Sequence, residues 1–180
     1  MIGLPRATAF LAALLLAACA SVAPPGETPS GETLSGRLVV NVAATPESGA
    51  RSLNAAFELQ GDARVGRLNL STPLGSMLAQ ARWSPGNVVL KTPQGERQFT
   101  DLDSLTREMM GESLPMAALF DWLRGRPWPG APSMAMRPPA AAGFEQLGWK
   151  VDLARFDQAA VAATRARAPA VTVRAKLEQP

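Results

Sequence analysis

Leu68–Trp83 reads LNLSTPLGSMLAQARW. Two strand-like runs flank the loop Ser71-Thr72-Pro73-Leu74-Gly75-Ser76. Beyond it, Met77, Ala79, Ala81 and Trp83 alternate with Leu78, Gln80, Arg82 and Ser84. A period of two marks a strand with one face buried. Pro73 fixes its own φ and Gly75 permits a positive one, so the loop is a tight turn. Leu74 stands at its tip, where water gives a large apolar side chain nothing. Single exposed leucines are also common on ordinary surfaces. From these residues alone, a plain turn leucine and a functional one both stay open.

Working outward, the same alternation continues on both sides. Upstream, SGRLVVNVA from Ser35 reads as a first strand. Arg51–Gln60 puts Leu53, Ala55, Phe57 and Leu59 on one face and Ser52, Asn54, Glu58 and Gln60 on the other. Gly61-Asp62 is a turn signal. The run from Arg64 to Ser71 changes phase between Val65 and Leu68, and Gly66 lies at the slip, which predicts a β-bulge there. Downstream, Ser84-Pro85-Gly86-Asn87 turns the chain into Val88–Thr92. Pro93-Gln94-Gly95 then turns it back into Glu96–Thr100.

After Thr100 the period becomes helical. Leu102, Leu105 and Met109 share a face, Asp101 or Asp103 supplies an N-cap and Gly111 ends the helix. These carboxylates with Glu108 read as capping groups, because nothing else in the chain completes an acid/base site. A second helix follows Ser113-Leu114-Pro115, with Met116, Leu119, Phe120, Trp122 and Leu123 along a broad apolar stripe. Gly125–Pro139 is mostly loop, with one short strand near Met134. Strand periodicity returns at Phe144, and Trp149, Val151 and Leu153 point inward. Val161–Pro169, rich in Ala and Arg, reads as a weak, exposed connection. Val171, Val173, Ala175 and Leu177 alternate in the last strand.

The expected fold is mainly β (α+β), with nine or ten antiparallel strands and two or three helices inserted in one connection. A meander of that length removes its edges by closing, or nearly closing, into a barrel. Inward positions such as Ala55, Ala79, Ala81 and Ala175 are small and leave room for an apolar cavity. Phe57, Trp83, Phe120, Trp122 and Trp149 are the candidates to line it. Ordinary core is the competing role for each, since both roles turn the ring inward.

Composition narrows the chemistry. The chain has no His and one cysteine, Cys19. That excludes Ser-His-Asp and Cys-His catalysis, a structural zinc site and an internal disulfide. An enzyme is not expected, and neither is a metal, a cofactor or a nucleotide site, for there is no Gly-rich phosphate loop. Basic residues are scattered, with Arg165 and Arg167 standing close together, and they read as solvated faces. Nucleic-acid binding would need them clustered with aromatics.

Residues 1–18 carry Arg6, a short apolar run from Ala9 and then small residues, the pattern of an export signal. The sole cysteine follows Leu16-Ala17-Ala18. That ending resembles a bacterial lipobox, in which the Cys becomes the acylated first residue, so Cys19 is the expected lipidation site. Residues 19–33 are rich in Pro, Gly, Ser and Thr and read as a membrane tether. Residues 34–180 form the folded domain.

Taken together, the lipobox, Gly36-Arg37-Leu38, the loop Ser71–Ser76, the turn Ser84–Val88, Trp122-Leu123-Arg124-Gly125 and Gly148-Trp149-Lys150-Val151 resemble the LolB family of outer-membrane lipoprotein receptors. The resemblance implies an open, half-closed barrel whose apolar cavity is capped by the inserted helices. It implies an anchor in the outer membrane, on the periplasmic face, through Cys19. It implies three partners: the periplasmic carrier LolA, the acyl chains of cargo lipoproteins and outer-membrane phospholipid. Within the Pro73-Leu74-Gly75 loop, Leu74 matches the protruding leucine that places cargo in the membrane. A monomer is expected. The alternative is a structural or assembly lipoprotein whose barrel packs solid and offers only a protein-binding surface.

Overall fold

The computed structural model describes residues 31–178. The signal segment 1–18, Cys19 and most of the 19–33 tether lie outside the described residues.

Six strands come first: β1 (Thr33–Val42), β2 (Arg51–Gly61), β3 (Gly66–Ser71), β4 (Met77–Ser84), β5 (Asn87–Thr92) and β6 (Gly95–Phe99). Helices α1 (Leu102–Met110) and α2 (Met116–Trp122) follow. Five strands complete the chain: β7 (Ser133–Ala135), β8 (Gly143–Gln146), β9 (Trp149–Asp152), β10 (Ala160–Arg165) and β11 (Val171–Leu177). A 3-10 turn at Phe156–Gln158 joins β9 to β10. All eleven strands form one sheet, ordered β6-β5-β4-β3-β2-β1-β11-β10-β9-β8-β7. Every pairing is antiparallel. Edge strands β6 and β7 do not pair with each other, so the sheet is open. Both edges resist adding another strand: β6 carries Glu96 and Arg97, and β7 is three residues long.

Alternation sets the inward face as expected. Ala55, Phe57 and Leu59 of β2, Val88 and Leu90 of β5, and Val171, Val173 and Ala175 of β11 are all buried. Asp101 caps α1, its carboxylate accepting from the Ser104 N–H at 2.6 Å, and Gly111 closes the helix at φ 76°. In α2 the stripe Ala118, Leu119, Phe120, Trp122 and Leu123 is buried.

Four expectations are corrected. Val161–Pro169 is not a loose connection: Ala160–Arg165 is a strand paired on both sides, by β9 and β11. Arg165 is not solvated. It points inward in phase with Val161 and Ala163, donates to the Glu112 carboxylate at 2.7 Å and lies over the Trp149 ring at 5.5 Å. Gly66 makes no bulge either, since it pairs in register with Gly61 and Trp83. A β-carbon there would sit 2.2 Å from Trp83 Cζ2, so this glycine is the seat of an indole ring. The register slip comes later, where Leu70 faces Ala79 but Ser71 faces Met77. It leaves Leu78 unpaired and turns Met77 out to solvent instead of inward.

Antiparallel pairing collects the β1–β2, β3–β4, β5–β6, β8–β9 and β10–β11 connections at one end of the sheet. Leu74 belongs to this end. The chain enters β1 at the opposite end, together with the Phe156 turn.

Candidate functional site

The inward face divides into two apolar clusters. One gathers Trp122, Trp149, Phe144, Val151 and the inner residues of β1, β10 and β11. The other gathers Phe57, Trp83, Phe120, Leu105, Leu123 and the small residues Ala55, Ala79 and Ala81. Between the sheet and both helices, mainly on the second cluster's side, lies a cavity of about 90 Å³ with a wholly apolar surface. Leu68, Ala81 and Trp83 bound it from the sheet; Leu105, Met109 and Phe120 bound it from the helices. Its one nearby hydroxyl is already engaged: Thr106 Oγ1 donates to the Asp103 carbonyl and accepts from the Leu114 N–H.

Phe57, Trp83 and Phe120 line this cavity. Trp83 meets Phe120 edge to face at 5.4 Å, and its Nε1–H donates to the Asp62 carbonyl at 2.8 Å, so the ring presents hydrocarbon to the cavity. Trp122 and Trp149 lie elsewhere. Trp122 is fully buried, 5.9 Å from Trp149 and 6.4 Å from Phe144, and its Nε1–H donates to Gln146 Oε1 at 2.8 Å.

Gln146 itself escaped the sequence reading. Its amide is buried, and its Oε1 also accepts from the Trp128 N–H. Its Nε2 donates to the Trp128 and Ala131 carbonyls, both at 2.7 Å. One side chain thus fastens the long connection after α2 onto β8 and Trp122. The available signal was its phase, two residues after inward Phe144.

At the loop, Gly75 N–H donates to the Thr72 carbonyl at 2.8 Å, and Thr72 N–H donates to the Ser76 carbonyl at 2.8 Å. Thr72 Oγ1 also accepts from the Ser76 N–H. Pro73, Leu74 and Gly75 form a three-residue hairpin loop closed by a left-handed glycine at φ 85°. The backbone is therefore pinned while Leu74 stands 95% exposed. A side chain so exposed at a braced tip makes no contribution to the core.

The family model described as "Outer membrane lipoprotein LolB" matches residues 33–177. The chain belongs to the LolB family. Outer-membrane lipoprotein LolB of Cupriavidus pinatubonensis is 36% identical over 166 residues, covering 88% of this chain and 79% of the relative. LolB of Bordetella petrii is 35% identical over 150 residues, with 79% and 74% covered. LolB of Bordetella pertussis is 33% identical over 159 residues, with 83% and 78% covered. These LolB relatives are outer-membrane lipoproteins, and the family is one of lipoprotein-localisation factors. Among the described residues no helix is long and apolar enough to cross a membrane.

Proposed function

We propose that this chain is an outer-membrane-anchored receptor that takes lipoproteins from LolA into its apolar cavity and inserts them into the outer membrane. Cys19 carries the lipid anchor, residues 19–33 supply reach, and α1 and α2 cap the cavity. One observation carries the reading: an apolar cavity and a braced leucine at 95% exposure occur on the same domain.

The physics of the task fits this division. Three acyl chains of about sixteen carbons, at ~0.8 kcal/mol per buried CH₂, make exposure to water cost on the order of 30 kcal/mol. Cargo therefore needs a continuous apolar path from carrier to bilayer. At about 90 Å³ the cavity is smaller than an engineered one of about 150 Å³ that admits benzene. Acyl chains enter only if the helices move off the sheet. Gly111 and Gly125, at φ 76° and 73°, end α1 and follow α2, where a hinge would act. Each step is driven by better burial of the same chains, so no nucleotide is required.

Transfer is tested with the Cys19→Ala chain and a LolA–lipoprotein complex. Cargo should move onto it, in a pull-down, without nucleotide. A folded chain that takes no cargo sinks the receptor reading. It would favour an assembly lipoprotein, a second reading that the small cavity volume keeps in view; such a protein would also take up no apolar dye. Leu74→Glu should leave melting temperature and cargo uptake unchanged and abolish delivery to vesicles. Normal delivery by that variant would refute the role of Leu74.

A further inference from the structure

We propose that the Leu74 end of the sheet meets the lipid surface at a second point, Leu147, in the β8–β9 turn. This rests on the reading of Leu74 as a membrane-contacting residue. Among the described residues, five large apolar side chains are exposed: Leu74, Met77, Met134, Leu147 and Phe156. Four of them lie at one end of the sheet. Leu74 and Met77 belong to the β3–β4 hairpin, Leu147 to the β8–β9 hairpin, and Met134 to β7, one residue in from that end. Only Phe156 lies at the other end, folded against Gly125.

Leu147 is an unusual choice for its position. Gln146 pairs with Trp149, so Leu147 and Gly148 form a two-residue hairpin loop, at φ 54° and 76°. Turns with two left-handed residues favour Asn-Gly or Asp-Gly, which adopt that backbone freely. A leucine there is sterically strained. It is also 48% exposed, so core packing does not compensate for the strain.

The arrangement suits a bilayer better than a protein partner. Leu74 and Leu147 stand on separate turn tips, six strand pairings apart between β3 and β8. A specific protein interface needs roughly 800 Å² of continuous surface on each side. Isolated tips at one end of a rigid sheet are what a flat, fluid surface accepts. The anchor does not forbid this orientation. β1 starts at the opposite end, and its ten residues rise about 33 Å. Residues 19–32 span up to about 46–50 Å when extended, so they reach back past it.

The test uses the full-length lipoprotein in phosphatidylethanolamine/phosphatidylglycerol vesicles that contain a spin-labelled quencher lipid. Cys19 is the only cysteine, and acylation consumes its thiol. Leu147→Cys, Leu74→Cys and Phe156→Cys each then carry one environment-sensitive fluorophore. Positions 147 and 74 should shift to the blue and be quenched, and position 156 should do neither. Quenching at 74 without 147 overturns this inference and leaves the Leu74 reading standing. Quenching at neither position overturns both. Equal quenching at all three overturns the end-on orientation. Leu147→Asn suits the left-handed turn, so its melting temperature should hold or rise while delivery slows and cargo uptake stays constant. Unchanged delivery by Leu147→Asn would also overturn the inference.

Discussion

The two halves of the inward face use the same sheet and one shared helix, yet they pack differently. Around Trp122 aromatic rings pack closely. Three aromatic rings meet within 6.4 Å, and Gln146 satisfies every donor and acceptor its amide brings inside. Around Phe120 a wholly apolar cavity remains, and of the three alanines in that cluster's β2 and β4 strands only Ala81 lines it. Opposite sides of one turn of α2 serve both halves: Phe120 belongs to the cluster around the cavity and Trp122 to the packed one. A dry void forfeits contacts on its walls. The hollow half is thus the softer one, and the packed half holds the frame.

The largest effect should separate those halves. Trp122→Ala removes a fully buried indole and leaves Gln146 Oε1 short of one donor, so it should cost about 3–5 kcal/mol. Phe120→Ala opens onto space that already exists, and its cost should fall at the low end of that range or below it. It should also raise uptake of an apolar dye. Urea midpoints and dye titrations of the two variants decide the matter. Equal costs, with no gain in dye binding, would mean that the two halves are equally well packed.

A smaller effect is expected from filling the hollow. Ala81→Leu projects into the cavity from β4, so its stability should change by less than about 1.5 kcal/mol in either direction. Dye uptake and cargo transfer should nevertheless fall sharply. A variant that is strongly destabilised would show that the cavity cannot take another side chain. A variant that still accepts cargo would show that the cavity is not the route.

Little of this contrast was legible beforehand, for Trp122 and Trp149 read as cavity candidates alongside Phe57, Trp83 and Phe120. Alternation marked the inward face of β2, β5 and β11, and Pro73-Leu74-Gly75 pointed to a leucine at a turn tip, but of the small inward residues Ala55, Ala79, Ala81 and Ala175 only Ala81 borders the apolar space. Other features were hidden for physical reasons. In β10 the outward residues Ala160 and Ala162 are apolar too, so the alternation that marks a strand disappears, and Ala is a weak strand former. Arg165 looks like surface by type, but its buried position depends on Glu112 and Trp149, which are distant in sequence. The strain at Leu147 is a backbone angle, invisible until the β8–β9 register is known. At Gly66 the expected bulge is absent, because the room a missing side chain leaves is taken by the Trp83 ring, a neighbour distant in sequence.

The smallest expected effect comes from pH, and it too falls on one half. Among the described residues three carboxylates titrate below their ordinary values: Asp62 through the Val65 and Arg64 N–H groups, Asp101 through Ser104, and Glu108 through Arg97. All three serve the hollow half. Asp62 braces the turn whose carbonyl holds Trp83, Asp101 caps α1, and Glu108 ties α1 to β6. Because each folded-state pKa is depressed, each contribution is fully present above the unfolded values of 3.8 for Asp and 4.5 for Glu. Each is lost as pH falls through the folded value. With no histidine in the chain, stability should be flat from about pH 5 to 8. Below about pH 4, α1 should loosen first. Apolar dye uptake should then rise before the near-ultraviolet circular dichroism of the packed tryptophans is lost. Asp101→Ala, which removes the cap, should bring that rise to a higher pH. If dye uptake and the tryptophan signal change together at one pH in both proteins, the sheet and helices open as a single unit and the softer half does not exist.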